Sequence, residues 1–436
     1  IILEEEEPYW LVERELELLE QGFTNKSEKE LAEYKKRFIF LLETQTNIFS
    51  RFQSLYTFLK ASLQKEQVDL PAAIPALNRQ YMAQENQAVE KIRSACKDCL
   101  EGQKMELALL GIKHDYYDWE AELEWSGQVA AMLEKLAENG FLIKEGSARL
   151  FKANEAANLE QARAYLNLKP DYEVPAAILV NSKGDSLYLL RDIAYSIKKS
   201  DDYQVDRIFN VIGKPQQLFQ IQLNLALRAI NRTDIANKLT HLSYEYLELK
   251  DTQASMSGRR LRYVTPLEIY QKTREAVIET FLKERNYPQK EKEEIAHTVA
   301  VGAIKYSIIA VGLMRKMIFD PEEVISLTNN TSPFIQYAFA RSQNILEKTN
   351  DFLWNEQIAN ALPSLGNEEE WLLLRSLAKL PAVIKKAAEE IKLELVCNHL
   401  FSIANLFNKF YEVHRVLDAP TEGLVKARLA LTFATG

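Results

Sequence analysis

From Pro175 to Gly213 the texture of this chain changes to short strand-like apolar runs, while most of the remainder repeats its apolar residues every three or four positions. The runs are Ala177-Ile178-Leu179-Val180, Leu187-Tyr188-Leu189-Leu190 after a turn at Lys183-Gly184, and Arg207 to Ile212 before Gly213. Helical pattern follows the last two, so the order reads strand, helix, strand, helix, as in part of a parallel α/β sheet. Such an island in a helical chain predicts a mainly α protein with an α/β part.

Before the island, Ser27 and Glu30 form a capping box ahead of Leu31, Tyr34, Phe38, Leu41, Phe49, Phe52, Leu55 and Leu59, which predicts a long amphipathic helix. Pro71 and Pro75 are expected to end it, and a second helix from about Asn78 to Leu110 would complete a helical hairpin. After Pro266 the pattern is helical nearly to the end, with breaks near Pro288, Asp320-Pro321, Asn329 to Pro333, Pro363 to Gly366 and Ala419-Pro420.

At roughly 100–200 residues per domain, the 436 residues allow two to four domains. Hydrophobic residues at 47% and charged residues at 27% fit an ordinary folded protein rather than a disordered one. No run approaches the ~18–20 uninterrupted apolar residues of a membrane span. Three cysteines make no disulfide framework, which fits a reducing, cytoplasmic setting. With a net charge of −8, nucleic-acid binding would have to rest on local basic surface. The chain opens at Ile1, and its first apolar residues run straight into Glu4 to Glu7, which reads as an incomplete N-terminus.

Three clusters carry chemistry. Asp118-Trp119-Glu120-Ala121-Glu122, beside Tyr116, Tyr117 and Trp125, combines carboxylates that can fork onto a guanidinium with rings that can stack on it; the plainer reading is a solvated acidic loop. Tyr188 to Ala194 runs from the second strand into a helix, where α/β proteins present ligand groups, although Asp192 could merely cap that helix. Ser255-Met256-Ser257-Gly258-Arg259-Arg260-Leu261-Arg262 is an arginine-rich small-residue loop able to embrace phosphates, or simply a basic surface loop. Cys96 and Cys99 have zinc-ligand spacing without a second pair and read better as two half-buried thiols; no metal site is assigned. The five histidines show neither metal spacing nor a catalytic triad.

In order along the chain, Leu110-Gly111-Ile112 with Asp118-Trp119-Glu120, Tyr188 to Ala194, Val211-Ile212-Gly213 with Gln216, and Met256 to Arg260 resemble arginyl-tRNA synthetase, a class I synthetase. The helical tail resembles the same family through Val301 to Tyr306, Ile318-Phe319-Asp320, Asn330 to Arg341, and Phe410-Tyr411 followed by Ala427 to Leu431. The resemblance covers roughly Glu85 to Gly436 and implies three parts: a helical connecting region over 1–113, the second half of a Rossmann-like catalytic domain over 114–270, and a helical anticodon-binding bundle over 271–436. It further implies ATP-dependent attachment of L-arginine to its tRNA, with ATP and its Mg2+ as substrate and the partners being tRNA, L-arginine and ATP.

By motif position, the resemblance assigns arginine binding to Glu120, Tyr188, Asp192 and Gln216. It assigns ATP binding to Met256, Ser257, Gly258 and Arg259, with Ser257 and Arg259 catalytic, and tRNA binding to Tyr337 and Arg341. The departures are specific. Ser255 and Gly258 replace both lysines of the KMSKS-type loop, Leu261 stands where the family usually has glycine, Leu190 where it has threonine, and Ala121 where serine is common. Neither the His-x-Gly-His signature nor the N-terminal tRNA-binding domain occurs in the 436 residues. These features leave three expectations: an enzyme whose remaining part lies upstream or on a second chain, a catalytically inactive tRNA- or partner-binding module, or a plain helical scaffold.

Overall fold

The computed structural model describes residues 28–66, 69–159, 161–250, 258, 261, 263–349 and 356–436. Ser27 of the expected capping box lies outside them. The described residues fall into two compact units, one drawn from within 1–105, 114–242 and 254–264 and the other from within 106–113, 243–253 and 265–436.

In the first unit α1 (Glu28–Glu66) is long, as its periodicity predicts, with one non-helical residue at Phe52. Phe49, Phe52, Leu55 and Leu59 of its apolar row nonetheless meet solvent. Two further helices follow instead of one, α2 (Leu70–Met82) and α3 (Asn86–Leu109). Pro71 opens α2 rather than closing α1, because a first-turn amide has no intrahelical acceptor to lose, and Asp69 caps the start by accepting from Ala72 N. The break before α3 falls at Gln84, whose φ of 61° no helix accommodates. Cys96 and Cys99 on α3 are exposed free thiols, not half-buried ones.

After α4 (Glu120–Trp125) and α5 (Gln128–Glu138), a hairpin of β1 (Leu142–Glu145) and β2 (Ala148–Phe151) pairs antiparallel with β3 (Ala177–Val180). The run at Leu187 to Leu190 is not a strand: α6 begins there and spans Tyr188–Tyr203, and the residues just before it meet β3 through a Val180–Ser186 bridge and a hydrogen bond from Leu187 N to Leu179 O at 2.8 Å. The reason is periodicity over a longer window. Leu189, Leu190, Ile193, Ala194, Ser196 and Ser200 are buried at helical spacing, and a four-residue apolar run cannot by itself distinguish the two states. β4 (Ile208–Gly213), α7 (Gln217–Ala229), α8 (Thr233–Lys238) and β5 (Leu239–Tyr244) follow, with β4 paired to β5. The strand–helix–strand order is as expected, but β3 and β4 are not hydrogen-bonded neighbours among the described residues. One core joins these elements, centred on Phe151, Leu179, Leu190, Ile193, Leu223, Leu227 and Ile235.

The second unit is a helical bundle with one small parallel pair, β6 (Leu247–Leu249) with β7 (Met317–Phe319). Its helices are α9 (Pro266–Val277), α10 (Gln289–Val311), α11 (Ser332–Glu347), α12 (Glu356–Ala361), α13 (Glu368–Glu390), α14 (Glu394–Val413) and α15 (Glu422–Thr435). The starts follow the expected breaks: Thr265 and Glu268 make a reciprocal capping box, and Thr331 and Thr421 accept from Phe334 N and Leu424 N. Of the described helices, α10 alone is long and apolar enough to cross a membrane by length and composition; its Ala296, Ala300, Ala303 and Ile304 are buried in the bundle core.

Candidate functional site

The amphipathic character of α6 makes the site. Its Leu189, Leu190, Ile193 and Ala194 face the core, which turns Tyr188, Arg191, Asp192, Tyr195 and Lys198, three or four positions apart, towards the other side. Opposite lies the acidic, aromatic segment 118–126, and between them is a cleft of about 380 Å³. Its walls carry four carboxylates, Asp118, Glu120, Glu122 and Asp192, against two cations, Arg191 and Lys198. That excess of negative charge suits a cationic ligand.

Most of these groups are already partnered. Lys198 lies 3.2 Å from Asp118, and Tyr195 Oη donates to the same carboxylate at 3.0 Å. Burial and that donation push the Tyr195 phenol up to about 12. Arg93 of α3 donates to Glu122 at 2.8 Å and lies over the Trp119 and Trp125 rings, 4.7 and 5.2 Å from their centroids. Arg191 approaches Glu120 at 3.3 Å and lies 5.3 Å from the Tyr188 ring centre. Asp192 has no ion-pair partner among the described residues; burial raises its pKa, Lys199 and Arg191 oppose the rise, and Glu120 adds to it.

Of the arginine-site residues expected from motif position, Glu120 and Asp192 line one cleft. Tyr188 is 53% exposed and reaches the group through Arg191 rather than lining it. Gln216 ends a 3-10 turn after β4, is exposed, and does not line the cleft. Asp192 is the fifth residue of α6 and not its cap, a position held by Leu187 without a side-chain bond. Sequence reasoning passed over Arg191, Tyr195 and Lys198; the three-to-four spacing from Tyr188 was the signal, hidden by reading Leu187 to Leu190 as a strand.

In the arginine-rich loop, Met256, Ser257, Arg259 and Arg260 lie outside the described residues. Gly258 is exposed, and its carbonyl accepts from Leu261 N at 3.1 Å. Leu261 has φ of 50°, the left-handed conformation that glycine adopts without penalty. Among the described residues no group of three or more His, Cys, Asp or Glu is placed to hold a metal ion.

A second cluster sits in the helical bundle. Arg341 of α11 lies between two rings, 4.7 Å from the Tyr337 centroid and 4.6 Å from that of Tyr411 on α14. Its Nη1 donates to Asn408 at 2.7 Å and its Nη2 to Tyr337 Oη at 2.9 Å. Tyr337 and Tyr411 are 50% and 41% exposed, so the rings present open aromatic surface.

Residues 131–320 match the catalytic domain of the class I (R) tRNA synthetases, and residues 335–436 match the DALR anticodon binding domain. The arginine–tRNA ligase of Ignicoccus hospitalis is 34% identical over 348 residues, which are 79% of this chain and 54% of that protein. The chain belongs to the arginyl-tRNA synthetase family. The arginine–tRNA ligase of Aeropyrum pernix is 31% identical over 372 residues, 83% of this chain and 56% of the relative. The chain therefore spans about half the length of the curated relatives it matches. Among solved structures, the arginyl-tRNA synthetase of Thermus thermophilus has a TM-score of 0.71 at 22% identity, covering 98% of this chain and 71% of that one. The Plasmodium falciparum arginyl-tRNA synthetase has a TM-score of 0.64 at 15% identity, covering 90% and 64%. The fold is thus a class I synthetase catalytic domain joined to a DALR anticodon-binding domain, mainly helical with an α/β part.

Proposed function

We propose that this protein takes part in the ATP-dependent attachment of L-arginine to its tRNA. The observation that carries the reading is the convergence of Glu120 and Asp192 on one acidic cleft. Two carboxylates facing a planar guanidinium discriminate arginine from lysine by forked geometry, and Tyr188 offers a face for stacking. Arg191 already engages Glu120, so an arriving guanidinium shares that carboxylate or displaces Arg191 from it. Gln216 is assigned to the amino end of the substrate.

Met256, Ser257, Gly258 and Arg259 are assigned to the phosphates of ATP, which enters with Mg2+ as substrate. Ser257 and Arg259 would stabilise charge as the arginine carboxylate attacks the α-phosphate in line and pyrophosphate leaves, before the arginyl group passes to the terminal ribose of the tRNA with release of AMP. The regions 1–113, 114–270 and 271–436 are assigned to connection, catalysis and anticodon reading, with Tyr337 and Arg341 contacting tRNA in the cytoplasm.

The test is charging of unfractionated tRNA with labelled arginine and ATP, using the protein as its natural gene encodes it. Arginine-specific charging is the expected result. Retained tRNA binding without charging overturns the enzyme and leaves a tRNA-binding module.

A further inference from the structure

Among the described residues, Asp192 is the one cleft carboxylate without a cation in salt-bridge contact, since Asp118 has Lys198, Glu120 has Arg191 and Glu122 has Arg93. Burial without a counter-charge favours the neutral acid, which would meet a guanidinium without the opposite charge. Lys199 lies seven residues further along α6, about two turns on and on the same face. It is not held by a carboxylate. Its ammonium donates to Asn210 Oδ1 of β4 at 3.0 Å and lies 4.6 Å from the Tyr195 ring centre. Asn210 in turn donates to Gln220 Oε1 of α7 at 2.8 Å, and both amides are buried. A lysine fixed at its tip by a buried amide pair keeps its charge in one place, which a solvated lysine does not.

We propose that Lys199 is a positioning residue for arginine recognition, pinned by Asn210 and Gln220 so that its fixed charge keeps the Asp192 carboxylate ionised for the substrate guanidinium. The proposal rests on the arginine-binding reading of the cleft. The groups around Asp192 agree with it. On α6 these are Arg191, Tyr195 and Lys198, from segment 118–125 they are Asp118, Glu120 and Glu122, and from α5, β4 and α7 only the neutral Gln128, Asn210 and Gln220. Lys199 is the strongest charge opposing the upward push of burial on Asp192. Burial pulls Lys199 below its ordinary value in its turn, and Asp192 and Asp118 offset only part of that fall.

The experiment is equilibrium binding of labelled arginine to the full-length protein from about pH 4 to about pH 8.5, for the unsubstituted protein, Lys199→Gln and Lys199→Arg. Glutamine keeps a donor for Asn210 and removes the charge, and thermal melts confirm that both variants fold. Removing the charge raises the Asp192 pKa, so its carboxylate is lost at a higher pH than before. The expected result for Lys199→Gln is a binding profile whose acid-side loss sets in at a higher pH than in the unsubstituted protein, the two profiles converging at the alkaline end, since below a pKa the ionised fraction falls about tenfold per pH unit. Lys199→Arg should restore the original profile. Binding profiles that superpose, or a loss independent of pH, overturn the role of Lys199 while arginine binding itself stands. Absence of arginine binding by the unsubstituted protein at every pH overturns the functional reading, and the positioning role falls with it.

Discussion

Leu261 shows how a single residue can register a change in a loop. It stands where the family usually has glycine, and its backbone adopts φ of 50°. A side chain in that conformation brings Cβ against the following carbonyl and costs about 1–2 kcal/mol. Leu261→Gly should therefore raise stability by about 1 kcal/mol, less the extra chain entropy that glycine brings to the unfolded state; urea unfolding would measure it, and a neutral or negative result would mean that leucine gains more from packing than it loses in strain. Of the cleft carboxylates, Glu120 was legible in the acidic and aromatic cluster at 118–125, whereas Asp192 was placed in the site by the family resemblance. Lys199 was not legible: a lysine in Ile197-Lys198-Lys199 looks like surface charge until Asn210 and Gln220 arrive from distant elements to hold it.

At the scale of elements, the breaks between helices after Pro266 were easier to read in the sequence than the short apolar runs. Thr265 with Glu268, Thr331 and Thr421 start helices at the expected breaks. Leu187 to Leu190 failed because the burial of Ile193, Ala194, Ser196 and Ser200 continues its pattern at helical spacing. The join between α13 and α15 rests on a pair the sequence did not reveal. Arg428 donates to Glu370 at 2.7 Å, both side chains are buried, and Glu370 also accepts from the backbone amides of Gly366 and Asn367 at 2.9 and 3.0 Å. Burial pushes the Glu370 carboxyl up, and the Asn367 amide, Arg428 and the Gly366 amide together bring it below its ordinary value. Its contribution to stability is thus present above the carboxyl's unfolded pKa and is lost as pH falls through the lower folded one. Arg428→Met strands a buried carboxylate and should destabilise the bundle by about 3–5 kcal/mol near neutrality. The deficit should shrink in acid, where protonated Glu370 no longer needs a partner; denaturant midpoints by circular dichroism across pH would show it, and a pH-independent deficit would refute the electrostatic account.

For the molecule as a whole, charge and proposed partner pull in opposite directions. A net charge of −8 repels a polyanion at long range, so tRNA must be held by local contacts. The Tyr337–Arg341–Tyr411 cluster offers such a contact, and its arginine already donates to Asn408 and Tyr337 while lying between two rings. A guanidinium so engaged serves to fix the aromatic platform, on which an unstacked base gains about 1–3 kcal/mol. A phosphate contact would instead add about −0.7 to the slope of log affinity against log salt for a single-stranded loop. Arg341→Ala should therefore weaken tRNA binding by about 10- to 100-fold while leaving that slope nearly unchanged. Filter binding from low to moderate salt separates the two roles. A slope shallower by about 0.7 in the variant would make Arg341 a phosphate ligand, because only a released counterion changes the salt dependence, whereas a loosened stacking surface lowers affinity equally at every ionic strength.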